Sequence, residues 1–354
     1  LLGRRAYGAW VGGSAALFTA VYFLHVRLSV LATSDVPLGF FVLWVTWLAL
    51  DIAQKGRWRD YLAAGIALGA GVATKYPAAL AALPLLAGHL GHIRKASAAR
   101  QASPARALAD LATGLFSGRL WLCALISLVT FLALTPFLLP ELHTAVAQIR
   151  AEFRGEHVGA NRLPGLQNYI WYFREPLAWG YGWAFLILGG VGLVIALAQL
   201  QEADLLLLSF ALPFYGVIAN GSLRWARWIL PLVPFIALFA GIAFAHLSSR
   251  WIAPLVRRER LRPYLIGLVL AGLCLPAVHY DLREMRELAL PSTQTQATRW
   301  VEANLPTGTR IVQESYTTAI SPDRYVITKV GTLGEWPLAH YLHDIGRDHD
   351  APLA

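Results

Sequence analysis

Apolar residues gather in nine long runs, at about 8–24, 37–53, 61–74, 77–93, 120–138, 181–199, 203–220, 226–246 and 263–280, with polar or basic turns between them. A helix that crosses a bilayer needs ~20 apolar residues, and shorter ones serve inside a bundle. The pattern predicts about nine transmembrane helices. The stretch 61–93 is too long for one of them, since its 33 residues at ~1.5 Å each would run about 50 Å against a ~30 Å hydrocarbon core. Its break is TKYP (74–77), where Pro77 biases Tyr76 away from helical geometry. A tight helical hairpin is expected there, with one long tilted helix as the alternative. GIALG (65–69) spaces small residues four apart, the pattern for close helix packing.

The patterning changes at about 281 and stays polar. TQTQATRWVEANLPTG reads as a helix with Trp300 and Val301 on an apolar face, stopped by Pro306-Thr307-Gly308. TRIVQES and RYVITKV read as short strands. The expected fold class is an all-α polytopic membrane protein followed by the start of a small extracytoplasmic α/β domain, with domains at 1–280 and 281–354. The Ala/Ser/Arg-rich loop 94–119 reads as a linker with an interfacial helix.

Composition agrees with the pattern. Of 354 residues, 56% are hydrophobic and 14% charged, where a soluble domain carries roughly 25% charged residues; mean hydropathy is +0.50. Thirteen Trp and thirteen Tyr suit interfacial belts. Cys123 and Cys274 sit in apolar runs and imply no disulfide framework. The single methionine is Met285, so the chain reads as a fragment whose N-terminus is missing, and the closing APLA reads as a second truncation.

The net charge of +9 would suit nucleic acid, but its distribution does not. With residues 1–7 on the cytoplasmic side, that side collects fifteen Lys and Arg, including Arg4, Arg5, Lys55, Arg94 and Arg258, against eight opposite. The excess is a topology signal for N-terminus in and C-terminus out. Four Lys against 26 Arg, with abundant Ala, points to a GC-rich bacterium, hence to the inner (plasma) membrane with the C-terminal part periplasmic or extracellular.

On this topology the outer face gathers Asp35, Lys75, Arg224, Arg227 and the 139–180 loop with Arg154, Glu156 and His157. Ionisable groups at helix ends in a bundle mark functional sites by default. Each also has a structural reading. Asp35, after Thr33-Ser34, fits a helix cap; Lys75 fits a snorkelling lysine; His157 fits a surface histidine, and Arg224 and Arg227 fit headgroup anchors. Glu141 and His143 fit solvated positions, and Arg174-Glu175 an interfacial turn.

Order and spacing say more than any one residue. An Asp opening a helix, a charged turn, GxxxGxGxxTKYPA, an EFxxEH loop and RWxLPLxP together resemble the polyprenyl-phosphate-sugar-dependent glycosyltransferases of the GT-C membrane fold. The closest groups are the bacterial dolichyl-phosphate-mannose–protein mannosyltransferase-like enzymes (glycosyltransferase family 39) and the aminoarabinose transferase of lipid A. The resemblance covers about 7–320. It implies transfer of a sugar from a polyprenyl-phosphate donor to an acceptor hydroxyl at the outer face, with inversion, and a general base in a first outer loop upstream of Leu1. It implies catalytic-site positions at Asp35, Glu156 and His157, with Asp35 and His157 able to share a divalent ion (Zn, Mg or Mn). The departing phosphate would meet Lys75, Arg154, Arg224 and Arg227. Expected partners are the lipid-linked sugar, an acceptor lipid, glycan or protein, and membrane lipid. Two other readings remain: a transporter or flippase, and a non-catalytic lipid-binding relative.

Overall fold

The computed structural model describes residues 1–31, 33–152, 161–314 and 317–330. They fall into two compact units, the first drawing on residues up to 152 and on Arg162–Asp281, the second on the described residues from Leu282 onward.

The first unit is a helical bundle. A short basic helix α1 (Leu2–Tyr7) folds back at Gly8 along α2 (Ala9–Ala20), and α2 meets α3 (Phe23–Val30) at a 59° bend. Helix α4 (Asp35–Lys55) ends at Gly56, whose φ of 58° gives the left-handed turn into α5 (Trp58–Thr74). Lys75 is extended, Tyr76–Ala81 form a 3₁₀ turn, and α6 (Ala82–Ala99) returns. The expected break is therefore present where Pro77 stands, but the two helices do not pair tightly with each other: each packs on α4. Next come α7 (Pro104–Gly114), capped by the Ser103 hydroxyl, α8 (Gly118–Leu134) and α9 (Leu142–Glu152). A six-residue α10 (Gln167–Tyr172) runs through a π turn at Phe173–Leu177 into α11 (Ala178–Gln199). The π turn holds Arg174-Glu175, and both side chains are exposed. Helices α12 (Glu202–Asn220), α13 (Val233–Leu247) and α14 (Arg262–Leu288) close the series.

Every apolar run falls on helix, but the count of crossings is lower than expected. Among the described residues six helices are long and apolar enough to span a bilayer, seven if the bent α2–α3 pair is one span. Helices α5 and α6 fall outside that set. Their glycine, alanine and ionisable content lowers their hydropathy, so they depend on neighbours. The GIALG seam supplies one such neighbour. A Cβ on Gly65 would stand 2.7 Å from the carbonyl oxygen of Cys123, and one on Gly69 would overlap that of Ser127. Positions four apart on α5 thus rest on positions four apart on α8.

The core centres on α13, which packs on α2 and α11. The span containing α13 is 83% buried, whereas the one containing α8 is 6% buried. A helix that is apolar all round belongs in such a centre. Phe18, Tyr22, Phe210 and Phe235 fill the space around it, each 0% exposed. Trp121, Leu125, Leu128 and Val129 on α8 face outward, as lipid-facing positions do.

The end of the bundle opposite Asp35 carries ion pairs that charge counting does not reveal. Arg5 grips Asp51 with both guanidinium nitrogens, at 2.6 and 2.7 Å, and Lys55 meets the same carboxylate at 2.6 Å. Lys95 pairs with Glu202 at 2.6 Å, Arg100 with Asp110 at 2.8 Å, and the Tyr7 hydroxyl donates to Asp204 at 2.7 Å.

In the second unit, α15 (Thr293–Asn304) is followed by strands β1 (Arg310–Glu314) and β2 (Val326–Val330), paired in parallel with Arg310 opposite Val326. Trp300 departs from expectation: it is 61% exposed. Tyr325, 2% exposed, takes the inner face of α15 instead and donates to the carbonyls of Val301 and Leu305.

Candidate functional site

Asp35 is the first residue of α4, and it is not the cap. Ser34 holds the cap position and its side chain makes no capping bond. The Asp35 carboxylate, 2% exposed, instead accepts a hydrogen bond from the Lys75 ammonium, Nζ to Oδ1 at 2.5 Å. The local chain explains how a residue 40 positions away gets there. Helix α5 ends with the Lys75 N–H on the Gly71 carbonyl, and the extended backbone at Lys75 (φ −163°, ψ 126°) turns its side chain toward α4. Pro77 follows two residues later and keeps the helix from resuming. The acidic end of the pair also sits in the first turn of α4, where the helix dipole favours negative charge.

The two members of the pair differ in access. Asp35 is enclosed, its side chain 3% exposed, while the Lys75 side chain keeps 22%. An ammonium has three donors, and Asp35 accepts one. Among the described residues the Lys75 ammonium has no second side-chain partner. Asp35 therefore fixes a cation in place without consuming it.

Arg227 belongs to a 3₁₀ segment that packs on α4, and Arg224 lies two residues before that segment. The 3₁₀ segment Ala226–Leu232 packs against α4, where a Cβ on Gly39, four residues after Asp35, would stand 3.9 Å from the Cα of Pro231. The Arg224 guanidinium lies over the Trp171 ring at 4.8 Å, and that of Arg227 over Trp225 at 5.5 Å. Arg227 has no ion pair among the described residues. Trp171 gives Arg224 an aromatic shelf that the sequence did not advertise. The shelf is itself fastened: the Tyr215 hydroxyl donates to the Tyr169 carbonyl at 2.5 Å, and buried Asn168 donates to the Ala219 carbonyl at 2.7 Å. An Asn and a Tyr inside a run of aromatics were the only signs of that brace.

Arg154, Glu156 and His157 lie outside the described residues. Glu141 and His143 are exposed. Among the described residues no cluster of three or more His, Cys, Asp or Glu could hold a metal ion. Asp35, the described half of the expected metal pair, has its carboxylate engaged by Lys75. The described residues do not by themselves compose a metal centre, and no step below passes through one.

A cavity of about 580 Å³ runs beside α4, lined by Phe40, Leu43, Trp44 and Trp47 and by residues of α1, α2 and α13. It opens five residues along α4 from Asp35, a rise of roughly 7.5 Å, and its lining is almost wholly apolar.

Comparison with known proteins bears on the first third of the chain. Residues 1–109 match the family model of dolichyl-phosphate-mannose-protein mannosyltransferase. The matched segment contains both Asp35 and Lys75. It supports a GT-C-type glycosyltransferase that draws on polyprenyl-phosphate sugars, in a multi-pass membrane protein. A search of curated proteins finds no match to the chain.

Proposed function

We propose that this protein transfers a sugar from a polyprenyl monophosphate to an acceptor hydroxyl at the outer membrane face, with inversion at the anomeric carbon. The observation that carries the reading is the Asp35–Lys75 pair, a buried carboxylate holding a lysine that keeps two donors for an anion. In the reaction the acceptor oxygen bonds to the anomeric carbon as the bond from that carbon to the phosphate oxygen breaks. The acceptor proton passes to a base, and negative charge grows on the departing polyprenyl phosphate. Fixed cations aimed at that charge lower the barrier.

Lys75 meets the phosphate as a point charge, and Arg224 and Arg227 supply guanidinium forks from the facing segment. Asp35 does not take the acceptor proton; its carboxylate is committed to Lys75, so it acts as the holder of the headgroup site. Arg154, Glu156 and His157 join from the 139–180 loop. The apolar cavity beside α4 suits the prenyl chain. The side assigned to this site rests on the charge bias, and the inner membrane of a bacterium as its location on the arginine- and alanine-rich composition.

The test is a donor assay in membranes containing the chain with any native segment that precedes Leu1. Polyprenyl-phosphate mannose and polyprenyl-phosphate aminoarabinose are offered with lipid, glycan and peptide acceptors. Release of polyprenyl phosphate with the sugar on the acceptor, in the opposite anomeric configuration by NMR, is expected. Intact donor crossing liposomes without acceptor would instead make the protein a flippase. Binding without release would make it a non-catalytic relative. In the same assay Trp171→Ala is expected to raise the half-saturating donor concentration about two- to fivefold, the value of ~0.5–1 kcal/mol for an exposed cation–π contact.

A further inference from the structure

A second groove lies at the arginine-rich end, away from the proposed transfer site. It has a volume of about 570 Å³ and runs between α6, α7 and α12, walled by Leu90, Leu111, Leu205 and Leu212 among others. Arg94 and Glu202 stand at its mouth and Pro213 at its far end. Along α12 the eleven residues from Glu202 to Pro213 rise roughly 16 Å. Half of a ~30 Å hydrocarbon core is about 15 Å, so the groove is as deep as one leaflet.

The charges at its mouth are unequal. Glu202 is neutralised by Lys95 at 2.6 Å. Arg94 is exposed and makes no ion pair or hydrogen bond among the described residues. An apolar slot one leaflet deep with an uncommitted guanidinium at the headgroup level matches one molecule: an anionic phospholipid of that leaflet. We propose that the α6–α7–α12 groove holds one acyl chain of such a lipid, with its phosphate on Arg94. Basic pockets between membrane helices select anionic headgroups in this way.

The test uses the whole chain, purified in detergent, stripped of lipid and offered phosphatidylglycerol or phosphatidylcholine of identical acyl chains. Retained adducts are counted by native mass spectrometry. The wild type is expected to retain the anionic lipid about fivefold better, the factor for one basic residue near an anionic surface. Arg94→Gln is expected to bring the two lipids to parity while leaving lipid-free thermal unfolding unchanged, since Arg94 has no bonds to lose. Leu205→Trp, which fills the groove wall, is expected to reduce retention of both. Equal retention by the wild type, or an anionic preference that survives in Arg94→Gln, would overturn the proposal. So would a dimer that persists as lipid is removed, because a second copy would then own the groove.

Discussion

Asp35→Asn is expected to abolish sugar transfer while the chain still folds, and Lys75→Gln to abolish it with a larger loss of stability. The asymmetry follows from burial. Removing the lysine strands a carboxylate that is 2% exposed, and an uncompensated buried charge costs about 3–5 kcal/mol. Removing the carboxylate leaves a lysine whose side chain is 22% exposed and can turn to water. The double variant Asp35→Asn/Lys75→Gln has no stranded charge. It should recover stability by a coupling of roughly 0.5–3 kcal/mol, yet transfer should remain down roughly 10²–10³-fold, as when a donor aimed at developing charge is lost. Thermal unfolding and donor turnover, measured on all three variants, separate the two roles. A double variant that regains transfer would reduce the pair to a structural tie.

Gly192→Ala is expected to destabilise the bundle by about 3 kcal/mol, at the upper end for overpacking, whereas Gly190→Ala on the same helix should be neutral or slightly stabilising. At Gly192 an added Cβ would overlap the carbonyl of Phe239, so the backbone of α11 would have to leave that of α13. Side chains can swing aside, but a carbonyl in the core helix cannot. At Gly190 nothing lies within 4 Å, and alanine there gains helix propensity by up to about 1 kcal/mol. Thermal unfolding of the two single variants in one detergent makes the comparison, and equal midpoints would show that α11 and α13 are not seated as described.

Much of the bundle was legible because membrane helices announce themselves by length and hydropathy. The TKYP break and the GIALG seam were readable for the same local reasons, a ring that forbids helical geometry and small residues that allow backbones to meet. Topology put Asp35 and Lys75 on one face, but not that the carboxylate would take Lys75 rather than one of the arginines gathered there. The ties at the other end were not readable. Charge counting finds an excess of arginine without saying that Arg5 belongs to Asp51 or Lys95 to Glu202. The 59° bend between α2 and α3 has no proline to signal it. It is held by packing, with the Tyr22 hydroxyl on the Pro176 carbonyl at 2.9 Å. The outward turn of Trp300 was hidden too, because Tyr325, 25 residues on, decides which face of α15 is covered.

The shortness of α5 has a bearing on how the protein is made. This segment has 17 residues, with Asp60 in its first turn and Lys75 directly beyond its last. A lone polypeptide of that kind leaving the translocon would gain little from entering oil. Its lysine becomes tolerable once Asp35 has quenched it, and its glycine face once α8 has covered it. Biogenesis is therefore expected to deliver α4 and α5 to the lipid together, as a hairpin already closed by its salt link.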